Sequence, residues 1–266
     1  MKIFVIGYKG YIGSQLYQRL LDEEREVYGI GRDDNVFGHG DVGPVGPDDV
    51  VVNCAGVGMK PITYTRDAYL KDNTILPHRL AGAAAFGCIK KLIHLSSYFE
   101  FFQTNIYAKS KALASELLRD VPGVQTIYLY NVFGGNEYPN RFMAGIKNAI
   151  KNDETFNLTT PGACRDLVHI KHCINGLVQQ IDSHSIETLH FGTGAYTTML
   201  AITQDIKMMF PEFKIEMNDT HNYVHECYRP RKPYFKGLDL MADIKEDIES
   251  ETQHESNNVS RARVSR

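Results

Sequence analysis

The chain has 266 residues, 43% of them hydrophobic, enough to bury a full core and suited to one large α/β domain with a small second lobe. A formal net charge of -3 gives no broad basic field to hold nucleic-acid phosphates, so nucleic acid is set aside as a partner. The five cysteines are odd in number and widely spaced with no C-x-x-C pair, which argues against a zinc site or disulfide framework and favours a reducing, cytoplasmic setting.

KIFVI (2–6) is a β-branched run that ends at Gly7, too brief for a signal-peptide core, and it predicts a strand. YIGSQLYQRLLDE follows with Ile12, Leu16, Leu20 and Leu21 at helical spacing. REVYGI and DDVVVNCAG read as the next strands, and DAYLKDNTILPHRLAGAAAFG as a helical stretch in which Pro77 marks a kink. KKLIHLSS predicts a strand, NIYAKSKALASELLRD a helix and VQTIYLYN another strand. Strands alternating with helices imply right-handed crossovers and a parallel sheet covered on both faces. Beyond about residue 132 the pattern loosens. RFMAGIKNAIKND and MLAITQDIKMMF read as helices, DLVHIKHCINGLVQQI as helical in its later part, and ETLHFG as a strand. EDIESETQHESNNVSRARVSR (246–266) is polar and reads as a disordered tail. No apolar run approaches a membrane-spanning length, so no membrane partner is expected.

Gly7, Gly10 and Gly13 form G-x-x-G-x-x-G between the first strand and first helix, where backbone amides and the helix N-terminus can face a pyrophosphate. The spacing in this strand-turn-helix setting points to a dinucleotide loop; an ordinary tight βα turn is the alternative. Tyr107 stands four residues before Lys111 in a strong helical run, which sets both side chains on one face. There an ammonium can stabilise phenolate and make tyrosine a usable acid near neutral pH; an exposed, idle pair is the alternative. A second copy, Tyr228 to Lys232, contains Pro230 and is not expected to form a regular helix.

The glycine loop, the VVNCAG strand end, Asn73 in its helix, IHLSS and YAKSK occur in the order seen in the extended short-chain dehydrogenase/reductases that act on nucleotide sugars. NVFG (131–134), RDLVH (165–169), FGTG (191–194), and Arg229-Pro230 with Asp239 ten residues after the arginine, extend the similarity over roughly residues 1–240. The chain therefore resembles that family, and most of all its 4-keto-6-deoxysugar reductases of the paratose and abequose synthase type. The resemblance implies a Rossmann-type doubly wound parallel sheet with a small C-terminal substrate-binding lobe. The core would span 1–131, and a mixed substrate lobe with returning core elements 132–245.

It also implies that Tyr107 is the general acid, that Lys111 holds it, and that Ser97 bonds the reacting oxygen, with Ser96 and Tyr98 as register alternatives. The stretch from Ser97 to Tyr107 is shorter than the family's usual one. Cofactor contacts are implied at Gly7, Gly10, Tyr11, Ile12, Gly13, Arg32, Asp41, Val42, Cys54, Ala55, Gly56, Asn73, Ser96, Tyr107 and Lys111. Asn73 is read as an anchor for an active-site water or the lysine, or else as a surface polar residue. Substrate contacts are implied at Ser97, Asn131, Arg165 and Arg229, the arginines gripping a diphosphate with planar guanidinium groups. For Arg165 a salt bridge to Asp166 or another carboxylate is the alternative, and for Arg229 a solvated surface charge. The family's dehydratases carry Asp-Glu just after the serine; Phe99-Glu100 stands here, which disfavours dehydration.

Cofactor choice turns on the end of REVYGIGRDD. An acidic residue there serves the ribose hydroxyl of NAD, whereas this chain has Gly31 followed by Arg32, room and charge for the NADP phosphate. Asp33 or Asp34 in a shifted register would restore NAD. The expected reaction is NADP-dependent reduction of a nucleotide-diphosphate 4-keto sugar; the alternatives are a 4-epimerase with bound NAD and a non-catalytic NADP sensor. His169 is read as structural, and His221 and His225 lack a third ligand, so no metal is expected. The family's dimers form through four helices, for which apolar residues at 66–87 and 106–120 are available; burial within one chain accounts for them equally well.

Overall fold

The computed structural model of the protein describes residues 1–31, 45–58, 64–218, 230 and 232–250. It divides into two compact units: Met1–Tyr130 with His172–Phe191 and Lys232–Tyr234, and Asn131–Lys171 with Gly192–Arg231 and Phe235–Arg266.

The first unit alternates β1 (Ile3–Ile6), α1 (Tyr11–Asp22), β2 (Val27–Ile30), β3 (Val50–Asn53) and α2 (Arg66–Leu70). A π-helical turn (Lys71–Ile75) leads directly into α3 (Leu76–Ala85), then β4 (Lys91–Ser97), a 3₁₀ turn (Tyr98–Phe101), α4 (Ile106–Leu118) and β5 (Val124–Leu129). Pro77 lies at the first positions of α3. Its missing N–H falls where the hydrogen-bond ladder has already slipped by one residue, so the proline is accommodated at a π turn.

Asn131 opens the second unit with β6 (Asn131–Phe133), α5 (Phe142–Lys151), β7 (Thr155–Leu158), β8 (Cys164–Arg165) and β9 (Leu167–His169). From α6 (Ile170–Asp182) the chain passes through β10 (Leu189–Phe191), then β11 (Thr197–Thr198), α7 (Met199–Met209), β12 (Lys214–Met217) and a helix, α8, over 240–250.

Six parallel strands form the sheet of the first unit in the order β10-β5-β4-β3-β1-β2. β1, β3 and β4 are buried along their whole lengths. Near-continuous apolar strands of this kind are what a parallel sheet requires when helices cover both faces. Phe4, Ile6, Val51, Leu80, Leu92 and Leu118 form one core cluster there. This is a Rossmann-like α/β fold. Its strand order reverses between β1 and β3, and in such sheets ligands bind beyond the carboxyl ends of the strands at that switch point.

The second unit pairs β6 with β9 and β7 with β12 in parallel and β8 with β11 antiparallel, around a core of Phe133, Met143, Ile146, Ile202, Ile206, Phe213, Ile244 and Ile248. The tail expected from residue 246 onward is corrected over 246–250, which continue α8. Ile244 and Ile248 stand one helical turn apart and are both buried, and Asp247 Oδ2 lies 3.0 Å from Lys147 Nζ. The local polarity concealed an apolar stripe one side chain wide. No helix among the described residues is long and apolar enough to cross a membrane.

Candidate active site

The glycine loop closes on the end of β3. Gly7 has φ +78°, and a Cβ on it would stand 2.8 Å from the Ala55 backbone; on Gly13 a Cβ would stand 2.3 Å from the Gly7 carbonyl oxygen. Gly10 caps α1 without a side-chain acceptor, and its own N–H donates to Gly7 O at 2.9 Å. Tyr11, Ile12 and Gly13 are the first residues of α1, so the positive end of that helix opens onto this loop. A loop with glycine at its closest backbone approaches, at a helix N-terminus, fits the pyrophosphate of a dinucleotide.

The strand end supplies the next wall. Cys54 N–H donates to Ile6 O at 2.9 Å, Ala55 N–H to Asn53 Oδ1 at 3.2 Å, and Gly56 is exposed. A Cβ on Gly56 would stand 2.9 Å from Asn73 Oδ1 and 3.3 Å from Lys111 Nζ. Three residues expected at a cofactor site therefore meet at one point. Asn73 is 0% exposed, which removes the surface reading. Its Oδ1 accepts from Val57 N–H at 2.7 Å while Nδ2 donates to Val57 O at 2.9 Å and Ser110 Oγ at 3.0 Å. The side chain clamps the loop after β3 to α4.

Asn105 caps α4 by accepting from Ala108 N–H at 2.9 Å, and this fixes the start of the helix that carries Tyr107 and Lys111. Tyr107 is half-buried, its ring edge-on to Phe99 with centroids 6.5 Å apart. Lys111 is 6% exposed and donates from Nζ to Leu95 O at 3.0 Å. Burial lowers its pKa to about 8, opposed first by Glu100 and then by Cys54. Ser97 ends β4 and caps the 3₁₀ turn, accepting from Phe99 N–H at 3.3 Å.

The two register alternatives are engaged elsewhere. Ser96 Oγ donates to Glu100 Oε2, and Tyr98 is buried with its ring stacked on Tyr130 at 5.0 Å. Glu100 is thus drawn inward to Ser96 and to Ser115, whose Oγ donates to Oε2 at 2.7 Å. Neither position after Ser97 offers a carboxyl to a substrate, because Phe99 has none and Glu100 is sequestered.

In the second unit, Asn131 N–H and Nδ2 donate to Asp166 O at 3.1 and 3.4 Å. Arg165 donates from Nη1 to Cys164 O at 2.8 Å. The alternative salt bridge from Arg165 to Asp166 does not form. That carboxylate accepts from Thr193 N–H, Thr193 Oγ1 and Gly194 N–H at 2.9, 2.7 and 2.9 Å, tying the RD segment to the FGTG turn. His169 Nδ1 accepts from Lys171 N–H at 3.2 Å and its Nε2 lies 3.5 Å from Asp247 Oδ1. Arg32, Asp41, Val42 and Arg229 lie outside the described residues, as do Asp33, Asp34, His221, His225 and Tyr228. Among the described residues, no group of three or more His, Cys, Asp or Glu could hold a metal ion.

The sequence reading missed the layer behind Lys111: Glu100, Ser115, Tyr128 and His94. His94 is fully buried beside Asn53, whose Nδ2 lies 3.2 Å from its Nδ1; burial, then the charge of Lys111, holds its pKa well below the usual range. The available signal was the spacing Tyr107, Lys111, Ser115, which marks one stripe of α4.

A Rossmann-like sheet with a glycine-lined switch point and a tyrosine–lysine helix beside it defines a dinucleotide-dependent class of enzyme. The profile of the NAD dependent epimerase/dehydratase family matches residues 3–188, and the chain belongs to that family, an NAD(P)-dependent group of oxidoreductase and epimerase type. Among solved structures, MoeE5 in complex with UDP-glucuronic acid and NAD is similar at TM-score 0.75 and 16% identity, covering 96% of this chain and 100% of that one. UDP-glucuronic acid 4-epimerase from Bacillus cereus, with UDP-glucuronic acid and NAD, gives 0.73 and 16% over 95% and 99%. A dTDP-4-dehydrorhamnose reductase from Clostridium acetobutylicum gives 0.71 and 17% over 95% and 100%. No curated protein matches the sequence.

Proposed function

We propose that the protein reduces a nucleotide-diphosphate 4-keto sugar to the corresponding alcohol, with NADPH as reductant. The observation that carries this reading is the buried Lys111 Nζ, held by Leu95 O beside Gly56 and Asn73, one helical turn from the half-buried Tyr107. NADPH, when bound, supplies the hydride that reaches the carbonyl carbon. Tyr107 gives its phenolic proton to the carbonyl oxygen, and Lys111 stabilises the phenolate left behind. Ser97 bonds the same oxygen and orients it, while Asn131, Arg165 and Arg229 hold the substrate diphosphate. The ketone and a proton are consumed, and the alcohol and NADP leave.

Reduction is favoured over dehydration because the turn after Ser97 brings no carboxyl to the substrate. Gly31, at the tip of β2, supports NADP, since a residue without a side chain leaves room for the ribose phosphate and Arg32 follows at once. A 4-epimerase is the second reading, favoured by the NAD-bound epimerase among the similar structures.

The test is to incubate the protein with NADPH and a panel of nucleotide-diphosphate 4-keto sugars. Net loss of the reduced-nicotinamide absorbance with formation of one alcohol is expected. Interconversion of 4-epimers without net oxidation would replace this reading with epimerase, and no turnover of either kind would overturn both.

A further inference from the structure

We propose that Glu100 is a positioning residue for this reaction: its buried carboxylate, pinned by Ser96 and Ser115, is the counter-ion that keeps Lys111 an ammonium beside Tyr107. The inference rests on reading Tyr107 and Lys111 as the acid pair. Tyr107, Lys111 and Ser115 follow one another at four-residue spacing, so they form a single stripe on the inner face of α4. The upper turn carries the acid, the middle turn the lysine, and the lower turn a hydroxyl bonded to Glu100.

Lys111 needs such a partner. An ammonium this buried tends to lose its proton, and a neutral amine neither stabilises phenolate nor strengthens the tyrosine as an acid. Leu95 O supplies one hydrogen bond and no charge. The titratable and polar groups of this layer come from several elements. From the end of β3, Cys54 is pushed up to about 12, so it stays a neutral thiol; from β4, His94 is held neutral. Asn73 of the π turn carries no charge. Tyr128 on β5 is pushed up to about 12, with Arg119 at the end of α4 acting weakly against this, so it too stays neutral. Glu100 is the remaining acid among these neighbours, and its effect on Lys111 is the largest that favours the charged form.

The carboxyl of Glu100 is buried, with specific hydroxyl partners. It is 5% exposed and accepts from the hydroxyls of Ser96 and Ser115. Burial prevails and raises its pKa, while the hydroxyls of Ser96, Ser115 and Tyr128 and the charge of Lys111 pull against it. Hydroxyl donors converging on one carboxyl stabilise the anion, and an anion in this layer stabilises the ammonium. A glutamine would accept the serine hydroxyls equally well. The negative charge alone is what the position adds.

The experiment uses the full chain without substrate, labelled with ¹³C at the lysine ε-carbon, with Lys111→Met assigning the Lys111 resonance. In Glu100→Gln, shown to be folded by circular dichroism, the Lys111 titration midpoint is expected to fall by about one pH unit or more. An unmoved or higher midpoint overturns the proposal. Because coupling between two titrating groups is reciprocal, Lys111→Met must raise the Glu100 carboxyl midpoint by a similar amount, which keeps the test open if Glu100→Gln fails to fold. A Glu100 midpoint that stays in place overturns it as well. Neither measurement needs turnover, so a lysine that shifts in a protein that reduces no keto sugar sinks the reductase reading and leaves this one standing.

Discussion

Tyr107 owes its position to two neighbours that have no part in the chemistry: Asn105, which caps α4, and Phe99, whose ring meets the tyrosine ring edge-on. Tyr107→Phe keeps the helix, the cap and the ring contact while deleting one hydroxyl. Turnover should fall roughly 100- to 10,000-fold, the usual worth of a positioned general acid, with NADP affinity nearly intact. Steady-state kinetics beside a cofactor titration checks this, and a variant with near-normal turnover would remove Tyr107 from the mechanism. The same residue-by-residue logic explains what could be read in advance. The proposed roles of Tyr107, Lys111 and the three glycines depend on spacing, which sequence displays. Glu100 reaches Ser96 and Ser115 by the direction its side chain takes after a tight turn, and Asn73 is held by a clamp on Val57, sixteen residues away in sequence. Partners of that kind are set by tertiary packing and leave no local signature.

At the scale of elements, strands buried on both faces and helices with one apolar stripe announced themselves by period, so β1, β3, β4, α1 and α4 fall where the sequence places them. The π turn before Pro77 and the helical continuation through Ile248 did not, because each depends on what the element packs against. The junction of β1, the glycine loop and α1 gives a test in which two local effects oppose each other. Alanine at Gly13 would favour the helix by about 1 kcal/mol through intrinsic propensity. Its Cβ, however, would lie 2.3 Å from Gly7 O, a backbone atom in the loop proposed to hold the pyrophosphate. Overpacking against backbone costs roughly 1–3 kcal/mol, so the contact outweighs the propensity. Gly13→Ala should lower the melting temperature and weaken dinucleotide binding together. Unchanged affinity in the folded variant would mean that the loop is an ordinary βα turn.

For the molecule as a whole, each unit buries ionisable groups, and these set how its stability responds to pH. In the second unit, burial raises Glu137 from 4.5 to about 7 despite Arg141 and Lys147. The folded chain then holds a proton that the unfolded chain has lost, so this contribution to stability declines as pH rises from about 4.5 to 7 and is spent by pH 8. In the first unit, Lys91 is 4% exposed and donates from Nζ to Gln180 O at 2.8 Å and Ser183 O at 3.2 Å, joining β4 to the end of α6. The carbonyls favour its charge, but burial prevails and lowers its pKa from 10.5 to about 8. Here the unfolded chain binds the extra proton, so the contribution is complete above 10.5 and is lost as pH falls through 8. Lys111 behaves in the same way. Opposing them, Cys54 is raised from 9.0 and Tyr128 from 10.0, each to about 12, and these remove stability as pH climbs through that range. The interval from pH 8 to 9 is therefore where the lysines act against least opposition. Unfolding free energies from urea titrations should rise across it, and the rise should be smaller in Lys91→Met by about 1 kcal/mol, the linkage expected of one lysine titrating there. Comparing slopes rather than absolute stabilities cancels whatever methionine does to packing. Equal slopes in the two proteins would show that the two carbonyls, not burial, decide the state of Lys91, and that it enters the fold as an ordinary charged cap on the end of α6.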